Sequence, residues 1–244
     1  MRALLHGPAD IMTTESSVRA AAEAYLAGDV PLKTAAFGIF ANDLNPWIPD
    51  KNNGRVVSVV VLHTGNTAVV HVRWDTLAGW LTLLLDKGAW IVISAVTSQT
   101  TGSSTPADVA AVVEMCWEYC GANRACDGDR MAEVFHRLCR LTYTGPDGLL
   151  VIKPQDAFVQ MVSERYSSPM HAPYAHLRDD PRVAAEDSLL SVSFAAPDLC
   201  MVTLRVGHPP MLWTDVLTCA RLGERWWIVA KSSCSEPLLA GEAR

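Results

Sequence analysis

An apolar segment near the middle of the chain recurs close to its end. Residues 90–95 read Trp-Ile-Val-Ile-Ser-Ala, and residues 226–232 read Trp-Trp-Ile-Val-Ala-Lys-Ser. Three further apolar runs precede each segment in the same order, beginning at Ser58 in the first half and at Ser191 in the second. A single repetition over so long a spacing indicates two copies of one domain, because solenoids repeat at much shorter periods.

The length and composition of the chain suit two modest globular domains. It has 244 residues, of which 50% are hydrophobic and 19% are charged, so each copy is long enough to bury a core. A net charge of -6 provides no basic surface for nucleic acid. No apolar run approaches the roughly 18 to 20 residues that span a bilayer, and the N-terminus does not resemble a signal peptide. We therefore expect a soluble, cytoplasmic protein with neither a nucleic-acid nor a membrane partner.

The seven cysteines all fall between residues 116 and 234, within the second copy, and form no Cys-x-x-Cys pair. Cys116, Cys120, His136 and Cys139 lie at helical spacings that superficially resemble a zinc site, but structural zinc sites usually include a tight pair of ligands. Buried cysteine at helical spacing is explained more simply as a small apolar side chain. We therefore predict free thiols, no metal and no cofactor.

The first half of the chain has the pattern of helices followed by strands. A helix that ends at Gly28 is followed by a predicted shorter helix at residues 32–40, a loop at residues 42–54 and strands between residues 55 and 98. We place the first domain at residues 12–100.

The second half begins with a capping box at Thr105 to Asp108 and a helix that follows it. Residues 128–140 and 153–165 are predicted as two more helices, of which the second has no counterpart in the first copy. Four strands joined by short turns complete a domain at residues 105–236. Helices followed by such strands are typical of an α+β fold with an antiparallel sheet.

Several motifs of the second half occur in the order of a known family. They are Gly128-Asp129, Phe135-His136, Asp147-Gly148, Phe158, Thr214-Asp215-Val216-Leu217-Thr218 and Trp227-Ile228-Val229-Ala230-Lys231. In this order, residues 106–235 resemble the lumazine-binding branch of the nuclear-transport-factor-2-like (SnoaL-like) superfamily. The resemblance implies cone-shaped domains, each with helices packed inside a curved antiparallel sheet and a pocket at the open end. Members of the superfamily pair through the outer faces of their sheets, so we expect an intrachain pseudo-dimer.

The two copies differ at polar positions of the family pattern. The sequence alignments place three small residues of the first copy opposite polar ones of the second: Ala41 with His136, Gly79 with Asp215 and Ser94 with Lys231. We infer that the second copy holds the pocket and that the first is a structural partner. The first cone should be smaller, with Trp47 and Ile48 of the 42–54 loop lying across its open end.

His136 and Asp215 are the candidate catalytic residues. His136 could act as a general base at the mouth of the cone, since imidazole titrates near neutrality, or could be a structural histidine that caps a carbonyl group. Asp215 shares an apolar strand face with Trp213, which would raise its pKa as a proton-abstracting base requires. Alternatively, Asp215 forms an ion pair with Lys231 of the adjacent strand.

Tyr143, Trp213 and Lys231 are the candidate ligand-binding residues. Tyr143 and Trp213 would form walls of the pocket, and Lys231 could orient an anionic ligand if an ion pair does not occupy it. If the pocket is functional, these walls should converge with His136 and Asp215 on one cavity.

Three classes of function follow from this pattern. The chain could be a tandem module that binds an unidentified hydrophobic small molecule or a protein, as a monomer with an internal pseudo-dimer. It could be a subunit of a larger assembly. It could also be an isomerase, dehydratase or cyclase that uses His136 and Asp215. Whether it is an enzyme is left open by the sequence.

Overall fold

The computed structural model describes residues 8–29, 35–40, 43–46, 54–62, 66–145 and 149–238. Within them, each half of the chain contributes one six-stranded sheet. The first sheet has the spatial order β2-β1-β6-β5-β4-β3. Its strands are β1 (Ala35–Phe40), β2 (Asp43–Pro46), β3 (Arg55–Val61), β4 (Thr67–Arg73), β5 (Leu77–Asp86) and β6 (Ala89–Gln99).

The second sheet repeats that arrangement. Its spatial order is β8-β7-β12-β11-β10-β9, which is the order of the first sheet with every strand moved on by six. Its strands are β7 (Phe135–Thr144), β8 (Leu150–Pro154), β9 (Ser188–Ala196), β10 (Leu199–His208), β11 (Met211–Leu222) and β12 (Arg225–Pro237). The two copies and the α+β class predicted from the repeat are confirmed.

Helices cover the inner face of each sheet. They are α1 (Pro8–Ala27) in the first copy, and α2 (Pro106–Ala125), α3 (Gly128–Val134), α4 (Gln155–Ser163) and α5 (Pro181–Ala184) in the second. The capping box at the start of α2 is present, with the Thr105 side chain accepting from the Asp108 amide and Asp108 accepting from the Thr105 amide. No helix in the described part of the chain is long and apolar enough to cross a bilayer.

Each sheet is antiparallel, as predicted, except for one parallel pair of strands, which the sequence did not indicate. β1 runs parallel to β6, and β7 runs parallel to β12. In both copies the first strand of the sheet pairs with the last, and the long intervening chain makes a parallel pairing possible.

Three predicted helices were wrong in whole or in part. Residues 35–40 form β1, helix α3 ends at Val134 where β7 begins, and α4 starts at Gln155 after β8. Short apolar runs suit a helix or a strand equally well. Pairing decides in favour of strands: β1 pairs with β6, β7 with β12 and β8 with β7. Part of the predicted 42–54 loop is β2, whereas Trp47, Ile48 and the cover expected from them lie outside the described residues.

Alternation along the strands divides each sheet into an inner and an outer face. In the first copy, Leu81 and Leu83 of β5 pack against Val18 and Tyr25 of α1. Leu217 and Ile228 have the equivalent role in the second copy, in a core that also contains Val112 and Cys116 of α2 and Phe158 of α4.

The outer faces of the two sheets pack against each other. One cluster of buried side chains combines Trp80 and Val96 of the first sheet with Met201, Val216 and Val229 of the second. Because these residues alternate with the inner ones, each sheet has an apolar layer on both faces. The predicted intrachain pseudo-dimer is therefore the architecture of the chain.

All seven cysteines are free thiols, and six of them are buried. Burial raises the pKa of Cys116, Cys120, Cys139 and Cys219 above the usual thiol value. Among the described residues, no group of three or more His, Cys, Asp or Glu side chains could hold a metal ion.

In the native protein we expect one thiol, that of Cys126, to react quickly with dithiobis(nitrobenzoate). Cys126 is the partly exposed cysteine, and only the thiolate of an accessible cysteine attacks the reagent. The burst should disappear in Cys126→Ser, and denaturation should release the remaining thiols. Three or more fast thiols in the native protein would contradict the buried positions of the others.

Candidate functional site

The second copy encloses a cavity of about 640 Å³. That volume lies within the roughly 300–1,000 Å³ typical of small-molecule sites. Its wall is formed by α2, α4, the segment that follows α4, and the inner faces of β7, β11 and β12. The apolar and aromatic residues of the wall include Tyr119, Leu141, Tyr143, Phe158, Met161, Met170, Met211 and Trp213.

Strand alternation brings the polar and aromatic side chains of the wall together. Trp213 and Asp215 are two residues apart on β11, and Lys231 and Ser233 are two residues apart on β12. Asp215 pairs with Ser233 across these strands, and Ser233 pairs with Tyr143 of β7. These side chains therefore project from one patch of the concave face.

Aromatic rings form one side of the cavity. The edge of Tyr143 meets Trp213 at 6.3 Å between ring centroids, and His208 stacks on Trp213 at 5.4 Å. The indole nitrogen of Trp213 is buried and has no hydrogen-bond partner in the part of the chain that the structure describes. This side of the wall can accept a flat apolar molecule.

Below the cavity floor, Asp215 is fully buried and bonded on both oxygens. Tyr119 donates to Oδ2 at 2.6 Å and Ser233 donates to Oδ1 at 2.8 Å. Lys231 forms an ion pair with Asp215 and donates from Nζ to Ser233 Oγ at 2.7 Å. Tyr119, Lys231 and Ser233 line the cavity, so Asp215 supports three lining residues from behind.

Burial sets the protonation of this network. It raises the pKa of Tyr119 well above its usual value, and the neighbouring Asp215 carboxylate adds to the shift. Tyr119 is therefore a hydrogen-bond donor at neutral pH. Burial lowers the pKa of Lys231, and Asp215 opposes that shift. Of the two roles that the sequence allows for Asp215, a proton-abstracting base or an ion-pair partner of Lys231, the structure has the ion pair.

His136 lies away from the cavity. It is the second residue of β7 and not a helical residue, and its ring packs edge-on against Trp227 at 5.8 Å. Its Nδ1 accepts from the Leu138 amide at 3.3 Å. Trp227 and Leu138 pack against the cluster between the sheets, so His136 and Asp215 occupy opposite faces. The structure does not bring the two candidate catalytic residues together.

Arg165 is a lining residue that the sequence did not indicate. It follows α4, and only 5% of its surface is exposed. Nη1 donates to the main-chain oxygen of Asn123 at 2.7 Å, and Nη2 donates to Asn123 Oδ1 at 2.6 Å. Its burial depends on α2 lying beside the segment after α4, which no local pattern reveals.

Two histidines complete the wall. His171 and His208 lie 5.7 Å apart between ring centroids. Burial lowers the pKa of His208 well below its usual value, and the charge of Arg165 lowers it further. The same two causes, burial and an adjacent positive charge on Arg165, lower the pKa of His171. Both rings are therefore neutral at pH 7.

The strand pairings align the two copies residue by residue. The β5–β6 hairpin and the β11–β12 hairpin both close on a two-residue turn. Asp86 pairs with Ala89 at the end of the first, and Leu222 pairs with Arg225 at the end of the second. On this alignment Gly79 is equivalent to Asp215, as the sequence indicated.

Two other sequence alignments were wrong. Lys231 is equivalent to Ala95 and not to Ser94, because the hairpins match Trp90 with Trp226. The parallel pairings make Ala35 equivalent to Arg140. The residue equivalent to His136 must therefore come before Ala35 in the chain, so Ala41 is not its counterpart.

The first copy cannot hold the Asp215 network without rearrangement. A Cβ atom at Gly79 would lie 2.5 Å from the Val96 carbonyl oxygen and 2.6 Å from Thr97 Cγ2. The parallel pairings also make Gly38 equivalent to Tyr143. The aspartate and one aromatic wall therefore have no equivalent in the first copy.

The sequence profile of the family described as "Putative lumazine-binding" matches residues 107–232, slightly more than half of the chain. This match confirms the resemblance seen in the motifs. No curated protein matches the chain.

Several solved structures resemble part of the chain. An NTF-2 like protein of unknown function from Silicibacter pomeroyi DSS-3 is 19% identical, with a TM-score of 0.43, over 55% of this chain and 99% of that one. An NTF2-like protein of unknown function from Shewanella baltica OS155 is 13% identical, with a TM-score of 0.45, over 56% and 99%. A ketosteroid isomerase-like protein from Erwinia carotovora atroseptica SCRI1043 is 9% identical, with a TM-score of 0.38, over 54% and 98%.

Proposed function

The chain belongs to the family described as putative lumazine-binding, and we propose that its second domain binds a small, largely hydrophobic organic molecule. The ligand occupies the 640 Å³ cavity, and the first domain is a structural partner. We propose domain limits of residues 12–100 and 105–236. The description of the family refers to lumazine, which is in keeping with a flat ligand against Trp213.

The cavity itself carries this proposal. Apolar and aromatic side chains surround it, and a few polar groups reach it from fixed positions, as in small-molecule sites generally. Tyr143, Trp213 and Lys231, the candidate ligand-binding residues, all line it. We assign the first two to the ligand's apolar body.

The burial and full hydrogen bonding of Asp215 favour a binding role over a catalytic one. Both carboxylate oxygens accept hydrogen bonds, and none of the side chain is exposed. A general base must reach the proton that it abstracts. We therefore propose that Asp215 organises the wall, and that His136 is a structural residue between the sheets.

A protein-binding scaffold is less well supported. The outer sheet faces, which pair members of the superfamily, are covered by each other within this chain. A partner would have to use another surface, whereas the cavity is a formed site.

The fluorescent probe N-phenyl-1-naphthylamine tests the proposal, because it is neutral, aromatic and brighter in apolar surroundings. We expect saturable binding to the intact chain. Trp213→Ala should weaken binding about tenfold, since the loss of one aromatic contact surface is worth about 1.4 kcal/mol or more.

Trp117→Ala is the matched control. Trp117 is 46% exposed on α2 and does not line the cavity, so its removal should leave the affinity within about twofold, as expected of surface substitutions. A chain that does not bind the probe, or equal losses in the two variants, would refute the proposed site.

A further inference from the structure

Arg165 brings a positive charge to the cavity wall that no carboxylate balances. Two of its hydrogen bonds go to Asn123, a neutral residue, and the side chain of Cys126 also contacts the guanidinium. Among the described residues, no carboxylate lies within ion-pair distance of its guanidinium. A buried cation without a counter-ion is costly, and a guanidinium keeps its charge at any physiological pH.

The other charges of the cavity do not offset Arg165. The charge of Asp215 is opposed by that of Lys231, with which it forms an ion pair. His171 and His208 are neutral at pH 7, because burial and the charge of Arg165 lower the pKa of both rings. Counted over the described residues, the cavity wall therefore carries one net positive charge, located at Arg165.

We propose that the ligand of this cavity is an organic monoanion of the carboxylate type, whose anionic group pairs with Arg165 while its apolar body lies against Tyr143 and Trp213. This inference rests on the proposed function and names the class of ligand. A monoanion leaves the cavity neutral, whereas the second charge of a phosphate monoester would have no counter-ion in the described wall.

The geometry of Arg165 favours this pairing. A guanidinium has five N–H donors, of which Asn123 occupies two and Cys126 contacts one, and the remaining two suffice for the paired hydrogen bonds that carboxylates accept. Lys231 is less available, because its Nζ already contacts Ser233 and Asp215. The wall also contains buried nitrogens that have no hydrogen-bond partner among the described residues, including His171 Nε2 and Trp213 Nε1, which leaves polar groups for a ligand to satisfy.

Competition between two ligands of the same shape tests the charge. Bound N-phenyl-1-naphthylamine is displaced with 2-naphthoate or with 2-naphthamide, its neutral isostere. We expect the naphthoate to bind at least about tenfold more tightly in the unaltered chain, since charge-assisted pairs are the stronger ones. In Arg165→Gln the ratio of the two affinities should fall to about 1.

Asn123→Asp is the second variant, because it keeps Arg165 and supplies the missing carboxylate in place. Asn123 Oδ1 already accepts from Arg165, and its Nδ2 has no partner among the described residues to lose, so this variant should fold. It should lose the preference for naphthoate while still binding N-phenyl-1-naphthylamine through the apolar wall. A preference that survives in Asn123→Asp would overturn the proposal even if Arg165→Gln does not fold.

The outcomes separate this inference from the proposed function. Absence of N-phenyl-1-naphthylamine binding contradicts the proposed site as a whole. Probe binding combined with equal displacement by naphthoate and naphthamide, or with no displacement by either, overturns the monoanion and leaves the hydrophobic site standing.

Discussion

Asp215→Asn is expected to lower the free energy of unfolding by about 3 to 5 kcal/mol at neutral pH. Lys231 is 5% exposed, and the substitution removes its only carboxylate partner among the described residues. Urea denaturation would measure the loss. The cost should shrink as the pH is raised toward the usual pKa of lysine, because burial already lowers the pKa of Lys231 and the folded variant then binds fewer protons than the unfolded chain.

The double variant Asp215→Asn with Lys231→Met is the control. It removes both charges and leaves Tyr119 able to donate to the new amide oxygen, so it should regain more than half of the lost stability. A loss of less than about 1 kcal/mol in Asp215→Asn would show that the ion pair does not support the cavity floor.

Val216→Asp should destabilise the protein by about 4 kcal/mol or more, because it places a charge in the apolar layer between the two sheets. Val216 is 1% exposed and belongs to the cluster shared by both copies. Thermal and urea unfolding would report the change. The same substitution at Val60, which is 50% exposed on β3, should cost no more than about 1 kcal/mol. Equal effects at the two positions would contradict the sheet-to-sheet packing.

The repeat and the pseudo-dimer could be predicted because they depend on local alternation. Inner and outer residues follow one another along each strand, as Trp80 and Leu81 do, and the family motifs supplied the cone. The boundaries at residues 32–40 and 128–140 were wrong because β1 and β7 exist through parallel pairing with strands much later in the chain. That pairing leaves no local signal in a short apolar run.

The site was only partly predictable for the same reason. Tyr143, Trp213 and Lys231 line the cavity, and strand periodicity was enough to place Trp213 and Asp215 on one face. The sequence predicts a helix at His136. The residue lies instead in β7, where it faces the layer between the sheets. Tyr119 and Arg165 gain their positions from helix packing, which pairs residues that are distant in sequence.

The indole N–H signals of the eight tryptophans test most directly whether the second domain alone holds the ligand site. In ¹⁵N-labelled protein titrated with N-phenyl-1-naphthylamine, the signal of Trp213, assigned through Trp213→Phe, should move as the probe saturates. The signals of Trp80 and Trp90, which belong to the first copy, should stay in place. Movement of these two with a fixed Trp213 signal would place the ligand in the first copy and contradict the account.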